Sequence, residues 1–379
     1  MRILINATSA RMGGALTYLE RLIRELDARP RGHEITIVVR QGVVDCAAKN
    51  IRLAIVDASI CESPIRIFLW QQITLPILLW KEKFDLLYST ANFATFFSPC
   101  PQILLVRIPL YFSELYKTHI LRKKSLSSRL TFTLRSLLIS ASQKIATHTL
   151  FPTASLQQDF FTPKPVDSVR TSINWYGTDP SAFSRNTVPL RTPVRILCTS
   201  HYSDYKNYSS LLEGLLRLKN EGSLQFLLTA TIDPSLPLFK TVPTASHDLD
   251  LMKALGDSLN ALGPLPPPQL PALYADADIF VWPSLAESFG HPLIEAMAAG
   301  LPIVCSDLPV NRELCADAAL YVSPLDSSAW ARTIRELALN KGLQDQLIRK
   351  TQERIHYFRW DDHVSRILEL FSSYEQRVL

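Results

Sequence analysis

The feature that most constrains this chain is an alternation that runs from end to end. Short runs rich in Ile, Leu and Val, apolar on both faces, are separated by longer amphipathic stretches. Runs of that kind belong in a sheet covered on both sides, and strands that alternate with helices make βαβ units around a buried parallel sheet. In the first half, Arg2 to Ile5, Glu34 to Val39, Ile51 to Val56, Asp85 to Tyr88, Gln102 to Val106 and Ala146 to Leu150 read as strands. Leu16 to Leu26, apolar at 16, 19, 22, 23 and 26, reads as a helix. The second half repeats the plan, with strands at Arg195 to Cys198, Leu224 to Thr229, Asp278 to Trp282, Ile303 to Ser306 and Ala319 to Val322. Its helices are expected near Tyr208 to Lys219, His247 to Leu262, Pro292 to Ala299 and Ser327 to Leu339.

The chain has 379 residues, more than double a common domain size, so two domains are expected. The polar stretch Ser184 to Pro193, with two prolines and no apolar periodicity, reads as the linker. The expected units are residues 1–183 and 194–360, with a last helix over 361–376 returning to the first domain. Two doubly wound α/β domains facing each other would form a cleft at the C-terminal ends of their sheets, where such folds place ligands. A hydrophobic fraction of 47% rules out a mainly disordered chain.

Charge divides along the same line. Residues 1–190 carry a net +10 and residues 191–379 a net −5, so the halves have different electrostatic tasks. Cysteines 46, 61, 100, 198, 305 and 315 stand far apart without metal-ligand spacing, which points away from disulfides and zinc and toward a reducing cytoplasm. The N-terminal apolar run is too short for a signal peptide. The longest apolar tract, Ile67 to Trp80, is interrupted by Gln71, Gln72 and Thr74 and falls short of the ~20 residues of a membrane span. A soluble or peripheral protein is expected. From His119 to Lys144, Arg122, Lys123, Lys124, Arg129, Arg135 and Lys144 interleave with leucines. Such a segment is either a basic helix lying on an anionic membrane or an ordinary surface helix with a solvated face. No aromatic and basic interleaving suggests nucleic acid.

The segment from Pro283 to Pro302 carries the most chemistry. A strand ends at Pro283, a loop contains Gly290, Pro292 stands where a helix begins, and Gly300 with Pro302 stops it. Such a helix start, at the C-terminal end of a strand, attracts phosphate. Glu287 in the loop and Glu295 in the first turns flank it. Carboxylates repel phosphate, so both are assigned to hydroxyl groups. A second loop, Cys198-Thr-Ser200-His201-Tyr-Ser-Asp-Tyr-Lys206-Asn207, follows the first strand of the second half. A lysine there can neutralise a leaving diphosphate. Gly13 and Gly14, after the first strand, either permit close approach to a ligand or simply bend a βα turn.

Taken together, these motifs resemble family-4 retaining glycosyltransferases, which have the GT-B fold of two Rossmann-like domains. The resemblance is strongest from Leu262 to Val322, where Gly263, Leu273-Tyr274, Ala277-Asp278, Pro283-Ser284, Glu287, Gly290, Glu295-Ala296, Gly300, Ser306-Asp307 and Glu313 follow the family order. It implies that Glu295 holds the ribose hydroxyls of a nucleotide and Glu287 the hydroxyls of the transferred sugar. Backbone N–H groups around Phe289, Gly290, His291 and Pro292 would cradle the diphosphate, with Ser288 among the donor contacts. Lys206 matches the family's lysine, His201 stands where an arginine is expected, and Ser200 replaces the usual glycine. The Gly13-Gly14 pair resembles a loop facing donor and acceptor. The family's histidine after a middle strand of the first domain is replaced by Arg107, a contact for the leaving phosphate or an acidic acceptor, or else a structural ion pair.

The resemblance implies transfer of a hexose from a nucleoside diphosphate sugar to a glycan or lipid-linked acceptor, without metal or other cofactor, as in bacterial surface polysaccharide synthesis. A sugar-nucleotide epimerase, a phosphorylase, and a non-catalytic nucleotide-sugar or partner-binding protein are the alternatives.

Overall fold

A computed structural model describes every residue except 11–12, 30–31, 45–47, 91, 184–190, 238 and 379; of residues 240 and 376–378 it describes the backbone alone. The chain divides into two compact units. The first comprises Met1–Phe112, Ser125–Gly177 and Arg359–Leu379, and the second Ser113–Lys124 and Thr178–Phe358. These boundaries depart from the expected 1–183 and 194–360. Ser113–Lys124 leaves the first unit because Ser113 Oγ donates to the Leu285 carbonyl (3.4 Å) and Lys124 Nζ pairs with Asp204 (2.6 Å). Most of the expected linker lies outside the described residues. Arg191, at its end, already belongs to the second unit through Asp276 (3.0 Å) and Asp278 (3.2 Å).

The first unit is built on seven strands: β1 (Arg2–Asn6), β2 (Glu34–Arg40), β3 (Ile51–Val56), β4 (Leu86–Ser89), β5 (Gln102–Leu105), β6 (His148–Phe151) and β7 (Thr171–Ile173). All pair in parallel, in the order β3-β2-β1-β4-β5-β6-β7. Strand β7 was not expected, since three residues of Thr-Ser-Ile carry no readable period. The helix Gly14–Ala28 buries Tyr18, Leu19, Leu22, Ile23 and Leu26. Against it lies the helix Trp360–Val378, where His363 meets the Tyr18 ring at 5.4 Å and Asp361 pairs with Arg29 at 2.7 Å. The apolar tract before β4 is a rod: helix Pro64–Leu69, a wide π turn Trp70–Thr74, then helix Leu75–Lys81.

The basic segment is not one helix. It comprises a helix Glu114–His119, a tight turn Leu121–Lys123, and a helix Leu126–Ile145 that Ser125 caps by accepting from the Ser128 N–H at 3.3 Å. The cap and the Lys124–Asp204 pair separate the two helices.

The second unit has β8 (Val194–Cys198), β9 (Phe226–Ala230), β10 (Leu259–Ala261), β11 (Ile279–Trp282), β12 (Ile303–Ser306) and β13 (Ala319–Val322), all parallel, in the order β10-β9-β8-β11-β12-β13. The helix expected over His247 to Leu262 ends at Leu255. Gly256, at φ +50°, breaks it, and Lys219 Nζ donates to the terminal carbonyls of Ala254 (3.0 Å) and Leu255 (2.7 Å). After a tight turn over Gly256–Ser258, Leu259–Ala261 pair with β9 as the edge strand β10.

Both sheets are doubly wound. In each, the order reverses beside the first strand, between β1 and β4 and between β8 and β11, where loops at the C-terminal ends diverge and leave a crevice. The segments flagged in the second half, after β8 and after β11, stand at that unit's reversal point.

Candidate functional site

Strand β11 is buried along its whole length and delivers the chain at Pro283 to a loop that ends at Gly290. Gly290 has φ +83° and ψ 62°, a conformation unfavourable for residues with a Cβ, and it starts the helix His291–Ala298. The Leu293 N–H already donates to the Gly290 carbonyl at 2.9 Å, and Pro292 has no N–H. Pro292 is therefore not a diphosphate donor, contrary to expectation; its role is to preset the first turn. Of the stretch expected to cradle a diphosphate, the loop Ser288 to His291 is what precedes this first turn. Phe289 contributes backbone only, since its ring is buried against Phe358 (6.0 Å) and beside His291 (5.5 Å).

Glu295 projects from the second turn of this helix. The buried Tyr274 hydroxyl donates to its Oε2 at 2.8 Å and accepts from Thr199 Oγ1 at 2.7 Å. Tyr274 is held by stacking on Phe280 at 5.6 Å and an edge contact from Phe183 at 5.3 Å. Burial raises the Glu295 carboxyl and the Tyr274 hydrogen bond partly offsets this, leaving its pKa at about 7. One carboxylate oxygen is oriented by protein and the other remains for a ligand.

Lys206 ends a short turn, Asp204–Lys206, after β8. The next residue, Asn207, adopts a left-handed conformation (φ 52°) and ties the loop down, its Nδ2 donating to the carbonyls of Pro283 (3.1 Å) and Pro324 (2.7 Å). Lys206 Nζ lies 2.6 Å from Glu287 Oε1; the two side chains are only 7% and 10% exposed. The ammonium also sits over the rings of Trp282 (4.3 Å) and Tyr205 (5.0 Å). Burial pulls its pKa down, but Glu287's charge and hydrogen bond, with Tyr205, more than compensate, and the net direction is upward. Lys206 is a buried, permanent cation paired with Glu287, a contact that assigning the lysine to a diphosphate and the glutamate to sugar hydroxyls did not anticipate.

His201 is exposed, and its Nε2 lies 3.3 Å from the Tyr205 hydroxyl. Desolvation and then the Lys206 charge push its pKa below the ordinary value. It is therefore neutral at pH 7 and does not supply the second positive charge of a phosphate clamp. His201→Ala is accordingly expected to change nucleoside diphosphate affinity by less than about threefold at pH 7.5. His201→Arg, which installs a fixed cation, should tighten binding by about tenfold; calorimetry checks both. Ser200 Oγ is engaged with the Tyr208 hydroxyl at 2.9 Å, which makes it a loop anchor.

Gly13, Gly14 and Arg107 belong to the first unit. Gly13 has φ +58° and open space where a Cβ would stand, so the backbone conformation, not crowding, is what calls for glycine. Arg107 donates its N–H to Asn92 Oδ1 (2.7 Å) and places its guanidinium 5.7 Å from the Tyr18 ring centre. No ion pair involves it among the described residues, so the structural ion pair weighed for it is not what holds it.

In the second unit the fold thus brings Lys206, Glu287, Glu295 and the Ser288–His291 loop to the carboxyl edge of one sheet. Tyr274, Thr199, Trp282 and Tyr205 complete the setting, and sequence reasoning gave them no role. Only packing reveals that Tyr274, 21 positions before Glu295, meets its carboxylate.

Residues 184–354 match the family described as glycosyl transferases group 1. Over 69 residues, 18% of this chain, it is 44% identical to the O-antigen chain mannosyltransferase RfbU of Salmonella typhimurium. The chain spans 20–29% of the length of three curated relatives, RfbU among them. Among solved structures, the sucrose-phosphate synthase of Thermosynechococcus elongatus superposes with a TM-score of 0.79 at 16% identity, with 99% of each chain covered. Anabaena Alr3699/HepE, solved in complex with UDP-glucose, superposes at 0.72 and 17% identity, covering 98% of this chain and all of that one. The fold is therefore that of the GT-B glycosyltransferases.

Proposed function

We propose that this chain, whose residues 184–354 carry the glycosyl transferases group 1 match, is a retaining glycosyltransferase that uses a nucleoside diphosphate sugar. The observation that carries the reading is the buried Lys206–Glu287 pair that joins the loops after β8 and β11, with Glu295 on the helix that follows the second loop. In the donor complex Lys206 exchanges its partner for the diphosphate, releasing Glu287 to the sugar hydroxyls, while Glu295 accepts from the ribose diol. As the bond from the anomeric carbon to the diphosphate breaks, Lys206 and the loop N–H groups stabilise the charge left on the phosphate oxygen. The acceptor hydroxyl bonds to that carbon on the same face and passes its proton to the departing phosphate. Positive charge comes from the protein alone, so no metal is required in this scheme.

A hexose is the transferred group, and the acceptor is a glycan or a lipid-linked saccharide of bacterial surface polysaccharide synthesis, a reading supported by the stretch shared with RfbU. The reaction takes place on the cytoplasmic side, with helix Leu126–Ile145 meeting an anionic membrane.

A thermal-shift screen of nucleoside diphosphate sugars, followed by transfer assays with the best donor, tests the reading. Stabilisation by at least one donor and retention of anomeric configuration in the product are expected. Donor turnover with no acceptor present would favour an epimerase, and binding without turnover a non-catalytic protein.

A further inference from the structure

The rod Pro64–Lys81 presents an apolar stripe that no activity in the second unit explains. Ile65, Leu69, Ile73, Ile77 and Trp80 are between 48 and 72% exposed. Steps of four residues drift around an α-helix of 3.6 residues per turn, and the π turn at Trp70–Thr74, with its longer bonding interval, takes up that drift and keeps the stripe straight. The opposite side of the rod is core, with Leu75 and Leu79 packed on Leu4 and Leu87.

The helix Leu126–Ile145 carries a second stripe, Leu126, Leu130, Leu134 and Leu137, each 58 to 69% exposed. Its inner residue Ile139 packs with Leu104. Leu4 is in register with Leu87, Leu87 with Gln102, and Leu104 lies two residues beyond Gln102, so all of them point from one sheet face. The rod and the helix therefore cover the same face of the sheet. They are joined through Phe93, which meets Phe68 of the rod at 5.9 Å and packs on the cluster containing Ile139. Phe97, from the same loop, is 83% exposed.

We propose that these two stripes form one docking face for an anionic lipid bilayer. The inference extends the membrane contact proposed for helix Leu126–Ile145 and rests on it. Charge selects the occupant. No Asp or Glu occurs from Leu115 to Gln158. Arg129, Arg135 and Lys144 on the helix, and Arg66, Lys81 and Lys83 on and beside the rod, are exposed and pair with no carboxylate among the described residues. Trp80, Lys81 and Lys83 line an open depression with Phe84 and Pro99, an apolar wall with two ammonium groups at its rim. Trp at the end of an apolar stripe beside lysines suits the boundary between acyl chains and headgroups. A second copy of the chain would set these cations against themselves.

Flotation of the full chain with vesicles of phosphatidylcholine alone, or with added phosphatidylglycerol, tests the proposal. Binding is expected only with phosphatidylglycerol. Ile77→Ser with Trp80→Ala should lower it at least about tenfold, as should Leu130→Ser with Leu134→Ser. Trp80→Phe should bind normally yet lose the fluorescence quenching by brominated lipid that Trp80 contributes in the native chain. Native-like flotation of the Ile77/Trp80 variant, unchanged quenching in Trp80→Phe, or a native dimer that this variant dissolves would each overturn the proposal. Stabilisation by nucleoside diphosphate reports on the second unit. Intact nucleotide response with no vesicle binding refutes the docking face alone, and vesicle binding with no nucleotide response refutes the glycosyltransferase reading alone.

Discussion

Lys206→Ala is expected to lower glycosyl transfer by about 10²–10³-fold, the usual effect of deleting one group that stabilises charge developing in a transition state. It should also destabilise the protein, because Glu287 would be left 10% exposed with its partner gone. Removing one member of a buried pair commonly costs about 3–5 kcal/mol, whereas replacing both members with neutral groups of similar shape is often close to neutral. The two effects separate in the double variant Lys206→Met/Glu287→Gln. Thermal unfolding should return most of the way to the native value, and transfer should stay low. A single variant that melts like the native protein would contradict the buried pair, and recovery of transfer in the double variant would remove Lys206 from the mechanism. Glu287→Gln by itself leaves the ammonium available to phosphate, so it should reduce turnover more than it weakens binding.

Glu295 predicts a pH dependence whose sign differs between stability and binding. Its carboxyl has an ordinary pKa of 4.5 and sits at about 7 in the folded protein. Folding thus takes up a proton between these values, and the stability linked to that proton is complete below pH 4.5 and lost as pH rises through 7. At 1.36 kcal/mol per unit, the effect is at most about 3 kcal/mol, and smaller for a side chain that is part exposed. Glu295→Gln should flatten this portion of the stability profile and raise stability at pH 8. Binding should run the other way. Two ribose hydroxyls are best accepted by the ionised carboxylate, so affinity for a nucleoside diphosphate sugar, whose diphosphate does not titrate in this range, should rise between pH 6 and 8. Glu295→Ala should bind at least about tenfold more weakly at pH 8, through loss of charge-assisted hydrogen bonds. Calorimetry across pH decides the matter; unchanged affinity in Glu295→Ala would remove the residue from the donor site.

Much of the fold was legible because strands buried on both faces leave a continuous signal. Two strands show it: Ile303–Ser306 and Ala319–Val322 coincide with the expected strands at both ends. The losses fall where tertiary pairing outweighs local preference. The edge strand Leu259–Ala261 was absorbed into a helical pattern because only Gly256 and the hydrogen bonds from Lys219 end that helix. Thr171–Ile173 is too short to carry a period and becomes a strand by pairing with β6.

The candidate site divides in the same way. Sequence alone determined its backbone, because glycine and proline act locally: Gly290 and Pro292 start a helix and Gly300 stops it wherever the chain goes, and they bring Glu287 and Glu295 with it. Only tertiary structure decided the electrostatics. Whether Lys206 is charged, whether His201 is, and why Glu295 titrates near 7 depend on burial and on groups as distant in sequence as Tyr274 and Trp282. The apolar tract Ile67 to Trp80 shows the same limit on the surface: its composition excludes a membrane span, but which of its residues face outward was settled by packing on the sheet. Local rules act through neighbours in the chain, whereas charge and exposure are set by neighbours in space.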